Sequence, residues 1–148
     1  MSKIWGSSVW YLFHSLAEKI SEEGYNNLKN ELCNLIQSIC FNLPCIDCTK
    51  HATEYTKHTL NAKYLPTKEH LKNYLFTFHN RVNQRLKKPT FNNYDMYKTA
   101  NLKLIFQNFK VNYLRYRDHS RGFTDTMVRE RILKKLDDFM IKNYIYFQ

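Results

Sequence analysis

Apolar residues along this chain recur at spacings of three, four and seven, and no convincing strand alternation accompanies them. That period marks one face of an α-helix. Trp5, Val9, Leu12, Phe13, Leu16 and Ile20 predict a first helix over 4–22, stopped by Gly24. Leu28, Leu32, Leu35, Ile36 and Ile39 predict a second over 26–41. Asn42 is a candidate N-cap and Pro44 suits a first helical turn, so a third helix is expected from about 44 to 60. Thr67 opens a fourth, roughly 67–87, which Lys87-Lys88-Pro89 ends. A short fifth is expected over 94–110, then a linker from Asp118 to Gly122. Thr124 should cap a last amphipathic helix, whose stripe of Ile132, Leu133, Leu136, Phe139 and Met140 must be buried somewhere, on the bundle or on a partner. Three glycines and three prolines in 148 residues leave few tight turns, so the expected class is all-α.

The length suits one domain with a real hydrophobic core. No run approaches the ~18 apolar residues that a membrane span requires. Glu18 stands where a signal peptide would need a small-residue cleavage site, so the chain is expected to stay in the cytoplasm. The formal charge of +10 invites a nucleic-acid reading. Residues 113–148 hold eight Lys or Arg against five Asp or Glu, and the remaining excess is spread over 1–112 with no block of like charge. That pattern fits a generic solvated surface, with an acidic partner or nucleic acid as the alternatives. Lys, Asn, Tyr and Ile are abundant, as in proteins from AT-rich genomes, which explains much of the basicity.

Cysteine usage narrows the chemistry. All four cysteines, Cys33, Cys40, Cys45 and Cys48, fall within sixteen residues, and the last hundred residues contain none. A secreted disulfide scaffold would scatter them. Cys45 and Cys48 lie three apart in the expected first turn of the third helix, where unpaired N–H groups and the helix dipole stabilise a thiolate. A redox pair, half of a zinc site and two buried thiols all fit this CxxC. Zinc needs two more ligands; His51 and His58 could contribute, yet no second CxxC or His-x₃₋₅-His pair accompanies them. Cys33 and Cys40 lie about 10 Å apart along the second helix, too far to pair within it. Buried free thiols, a disulfide across a dimer and a redox relay remain open for them.

Two other segments bear on the choice. In WGSSVWYLFH, residues 5–14, Gly6, Trp10 and His14 fall on one line up a helix face. They make either a core stripe with a satisfied histidine or a flat aromatic wall beside a gap. In FHNRVNQRLKKPTF, residues 78–91, His79 and Asn83 are one turn apart and Asn80 flanks them. Amides and an imidazole projecting inward are costly without partners. They make sense if they bind a large polar ligand with a planar ring, with Lys87 and Lys88 at the helix end for its phosphates.

WGxxxWxxxH, then PCxxC opening a helix, then HNxVNxxLxKPxF resembles the Erv/ALR family of FAD-linked sulfhydryl oxidases, most of all the short forms of large cytoplasmic DNA viruses. The resemblance covers roughly residues 4–98. It implies a four-helix FAD-binding bundle plus the short fifth helix, in a domain over 1–112 with 113–148 as an appended C-terminal helix. By position, Trp5, Gly6, Trp10 and His14 match the flavin wall of the first helix. His51 and Ala52 match residues packed on the ring, and His79, Asn80, Val82, Asn83 and Leu86 match the HNxVNxxL motif. Lys88 matches a lysine near the phosphates; Tyr94 and Tyr97 lie near where relatives place an aromatic against the cofactor.

The resemblance further implies that Cys48 is the flavin-proximal thiol and Cys45 the exposed one, attacked by a substrate thiolate. Electrons would pass through FAD to O₂, giving H₂O₂. A homodimer is implied, acting in host cytoplasm or the virion if the source is viral. Cellular members carry a further disulfide whose ends fall here on Phe76 and Asn93, and a distal shuttle pair that this chain lacks. A thiol-bearing protein, small and thioredoxin-like or carrying its own CxxC, would then reach Cys45 directly. The rivals are noncatalytic: a basic helical nucleic-acid-binding module or a zinc-binding adaptor, with a structural CxxC. A nucleic-acid module has no reason to turn the HNxVN amides inward.

Overall fold

The computed structural model describes residues 4–115 and 123–148; the linker expected over 118–122 lies outside them. Six α-helices, and no strand among the described residues, make the fold all-α: α1 (Ile4–Lys19), α2 (Glu22–Cys40), α3 (Ile46–Thr56), α4 (Lys68–Arg85), α5 (Leu102–Arg115) and α6 (Phe123–Asn143). Single 3₁₀ turns stand at Ala62–Tyr64, Asp95–Tyr97 and Tyr144–Phe147. α1 is the central strut, packed on α4 and α5, while α2 packs on α3 and α6. The α1 stripe explains this: Leu12, Phe13, Leu16, Ala17 and Ile20 are all essentially inaccessible to solvent.

Gly24 does not stop α1. It sits in the first turn of α2, behind Ser21, whose hydroxyl accepts the Gly24 N–H at 3.0 Å as an N-cap. Glu22 and Glu23 suit that positive helix end. A glycine is required for a tertiary reason. A Cβ there would lie 2.5 Å from Cβ of Tyr146, in the C-terminal 3₁₀ turn. The same turn accepts the Ser21 N–H at Tyr146 O, 2.7 Å.

The third helix is shorter than expected, and its cap is Cys45, not Asn42; Pro44 precedes the cap. The fifth is displaced. Asp95–Tyr97 forms only a 3₁₀ turn, and the α-helix begins at Leu102 and runs through Tyr113, which is buried and donates its hydroxyl to Asn42 O at 2.6 Å. α6 begins at Phe123, so Thr124 lies inside it. Its stripe packs back on the bundle: Ile132, Leu133, Leu136 and Phe139 are buried and Met140 partly so, against α2 and α5. Arg129 is buried with them, paired to Asp125 and stacked 5.8 Å over the Tyr113 ring.

α4 starts at Thr67, which accepts the His70 N–H at 3.3 Å, and ends in a Schellman motif. Lys88 N–H donates to Asn83 O at 2.8 Å and Lys87 N–H to Gln84 O at 3.2 Å. Lys87 occupies the left-handed position usually given to glycine, φ 57°. The reversal turns Lys88 back toward the end of α4, where it lines the cavity described next.

Candidate active site

Cys45 and Cys48 form a disulfide at the start of α3, with Cα atoms 5.2 Å apart. Cys45 has the extended backbone of an N-cap, and its sulfur accepts the Cys48 N–H at 3.3 Å. A sulfur at this position faces the helix's unpaired N–H groups, which favour the thiolate once the bond opens. Both cysteines are half-buried. Asp47, between them, lies 3.7 Å from His51 and 3.6 Å from Arg85.

Behind the disulfide a cavity of about 260 Å³ opens between α1, α3 and α4. Ten of the fourteen expected ligand residues line it: Trp5, Gly6, Trp10, His51, Ala52, His79, Val82, Asn83, Leu86 and Lys88. Cys48 also lines it, and Cys45 does not. The remaining four stand elsewhere. His14 lies behind His79, Tyr94 behind His14, and Tyr97 stacks on His14 at 4.9 Å. Asn80 turns away and clamps the backbone of Phe91 in both directions, donating to its carbonyl at 3.0 Å and accepting its N–H at 2.7 Å. Phe13, Cys40, Leu43, Phe78 and Arg85 line the cavity without having been expected to. Phe78 and Arg85 carried a signal, lying one helical turn before Val82 and three residues after it. Cys40 and Leu43 carried none, because they arrive from the far end of α2.

The walls are aromatic. Trp10 and His79 stack at 4.2 Å, nearly parallel, and Phe91 stacks on His79 at 4.7 Å. His14 Nε2 lies 2.9 Å from His79 Nδ1, and His14 Nδ1 lies 3.0 Å from the Tyr94 hydroxyl, which donates to Lys72 O at 2.9 Å. Burial, reinforced by His79, holds the His14 pKa down at about 3. Burial and the nearby Lys88 ammonium hold that of His79 at about 4. Both rings are therefore neutral at pH 7. Asn83 lines the cavity, and no side-chain hydrogen bond to another described residue engages its amide, which leaves it for a polar ligand there.

Cys33 and Cys40 are buried and unbridged. Burial pushes the Cys33 thiol up to about 11 and the Cys40 thiol higher still, so both stay protonated. Among the described residues no group of three or more His, Cys, Asp or Glu could hold a metal ion, and no helix is long and apolar enough to cross a membrane.

Residues 7–101 match the family described as Erv1 / Alr. Protein 096R of Invertebrate iridescent virus 3 is 30% identical over 109 residues, covering 74% of this chain and 68% of that protein. An African swine fever virus protein named FAD-linked sulfhydryl oxidase is 33% identical over 104 residues, covering 68% of this chain and 86% of its own length. The mitochondrial FAD-linked sulfhydryl oxidase ERV1 of Saccharomyces cerevisiae is 30% identical over 86 residues, 58% of this chain and 44% of that one. No solved structure matches the chain.

Proposed function

The chain belongs to the Erv1/Alr family, and from that membership we propose that it is an FAD-linked thiol oxidase whose Cys45–Cys48 pair forms disulfides in protein substrates. The observation that carries the reading is the placement of one cysteine of the pair in the wall of an aromatic cavity and of the other outside it.

The residues present fit the cofactor. A cavity of about 260 Å³ is at the small end for a ligand pocket, enough for a planar ring with the rest of a dinucleotide passing out at the mouth. Trp10 and Phe78 offer aromatic surfaces, His79 a ring edge, Asn83 an amide, and Lys88 a cation for phosphate. When bound, FAD supplies a two-electron acceptor that returns the dithiol to the disulfide and delivers the electron pair to O₂, giving H₂O₂.

The protein's own steps balance without it. A substrate thiolate attacks the Cys45 sulfur, the Cys45–Cys48 bond breaks, and Cys48 leaves as a thiolate into the cavity wall. The N-terminal N–H groups of α3 stabilise that leaving group. A second substrate thiolate then attacks the substrate sulfur of the mixed disulfide. The substrate disulfide forms, Cys45 leaves as thiolate, and two electrons now reside on the Cys45/Cys48 dithiol. A small protein with its own CxxC suits this exchange. A homodimer, and action in infected cytoplasm or the virion, belong to the same proposal, supported by the likeness to viral enzymes.

The test is the visible spectrum of the purified protein, before and after dithiothreitol under air, with an oxygen electrode. A yellow protein that consumes oxygen is expected; Cys45→Ser and Cys48→Ser should keep the colour and lose turnover. A protein that stays colourless when FAD is supplied overturns the reading.

A further inference from the structure

The hydrogen bonds behind the cavity have only one consistent polarity, and it runs toward the ligand. Tyr94 has a single hydroxyl proton, which it donates to Lys72 O at 2.9 Å. Its oxygen can therefore only accept from His14, so His14 carries its proton on Nδ1, 3.0 Å away. In a neutral imidazole the other nitrogen is then bare. His14 Nε2 must accept, and His79 must donate from Nδ1, 2.9 Å away. By the same rule His79 Nε2 is bare.

The position of that last nitrogen follows from the stacking. Trp10 covers one face of His79 at 4.2 Å with 8° between the planes, and Phe91 stacks at 4.7 Å with 20°. Two near-parallel rings at those distances sandwich the imidazole, and His14 covers its Nδ1 edge. What remains of His79 to line the cavity is the edge that bears Nε2.

We propose that Tyr94 is a positioning residue that, through His14, fixes His79 in the Nδ1–H tautomer and so makes the cavity wall accept a hydrogen bond from an N–H or O–H of the flavin nucleotide. This rests on the reading that FAD fills the cavity, and it gives Tyr94 a role without contact with the cofactor. The Tyr94 hydroxyl takes the His14 proton because its own proton is committed to Lys72 O. In Tyr94→Phe that acceptor is gone. His14 can then satisfy itself by holding its proton on Nε2 and donating to His79, which forces His79 into the Nε2–H form. The wall would then offer a donor where the ligand also offers one. Leaving one buried polar group unpaired weakens binding by roughly tenfold or more.

The experiment is long-range ¹H–¹⁵N correlation NMR of the histidine rings in the FAD-loaded protein, with FAD affinity measured by quenching of flavin fluorescence. The expected result in the wild type is Nδ1–H for both His14 and His79. Tyr94→Phe should convert His79 to Nε2–H and loosen FAD about tenfold, while Tyr97→Phe, which removes a hydroxyl outside the chain of bonds, should leave both tautomers as they are. An Nε2–H His79 in the wild type overturns the proposal with no variant needed. So does a Tyr94→Phe protein with unchanged His79 tautomer and FAD affinity. A wild type that binds no FAD instead overturns the oxidase reading, and the proposal with it.

Discussion

Mild acid should destabilise this protein through the two histidines behind the cavity. His14 and His79 are held at about 3 and about 4 in the folded state, chiefly by burial, against an ordinary value of 6.5. Between pH 6.5 and about 4 the unfolded chain binds protons on both rings and the folded chain does not. Stability therefore rises with pH in that window and is lost as pH falls through it. One pH unit is worth about 1.4 kcal/mol per proton excluded, so pH 5 removes about 2 kcal/mol for each ring and about 4 for the pair. That is a large part of the ~5–15 kcal/mol typical of a domain. Neither ring needs discounting for solvent, since His14 is 0% and His79 9% exposed. The assay is urea unfolding followed by circular dichroism at pH 7 and pH 5, with FAD at a fixed concentration and its affinity measured in each condition, so that the mass-action stabilisation can be subtracted. His14→Gln removes one titrating ring and should lose about half as much across the same interval. A wild type that loses less than about 1 kcal/mol, or a His14→Gln protein with the wild-type loss, would refute the argument.

Three substitutions test the frame around the site. Lys87→Gly relieves the left-handed backbone at φ 57°; the strain is about 1–2 kcal/mol, offset in part by unfolded-state entropy, so calorimetry should show the melting temperature up by about 2–4 °C. Gly24→Ala gains helix propensity but sets a Cβ 2.5 Å from Tyr146 Cβ, which no rotamer can move aside. A net loss of about 1–2 kcal/mol in urea melts is expected, and truncation after Asn143 should reverse the sign, leaving Ala ahead by up to about 1 kcal/mol. Leu136→Ala, at a fully buried position of α6, should cost about 2–5 kcal/mol; a loss below about 1 in the same melts would mean that α6 does not belong to the core.

What could be read from the sequence, and what could not, divides by the range of the interactions. The α1 stripe, the α4 motif and the α6 stripe are local patterns with a helical period; the two stripes became buried faces and the α4 motif became a cavity wall. Gly24 misled because a glycine after an apolar run usually ends a helix, whereas this one makes room for Tyr146, more than a hundred residues away. Cys45 hid the start of α3 because sulfur is a weak acceptor and not a usual cap, so the stronger Asn42 signal drew the boundary too early. The fifth helix was set too early for a related reason: Tyr94 and Tyr97 are fixed by His14, and local propensity cannot register that contact.

The motif residues separate by the same geometry. His79, Val82, Asn83 and Leu86 fall at i, i+3, i+4 and i+7, one face of α4, and all four line the cavity. Asn80 is one residue, about 100°, off that face. Its amide therefore meets the returning chain at Phe91 and holds that ring against His79. Three residues apart, Asn80 and Asn83 do different work: one amide builds the wall from outside, and the other is left open toward the ligand. The helical period leaves these two only about 60° apart, so it is the returning chain at Phe91 that separates their roles. The period could not have supplied Cys40 and Leu43, whose place in the cavity depends on where the end of α2 meets α3.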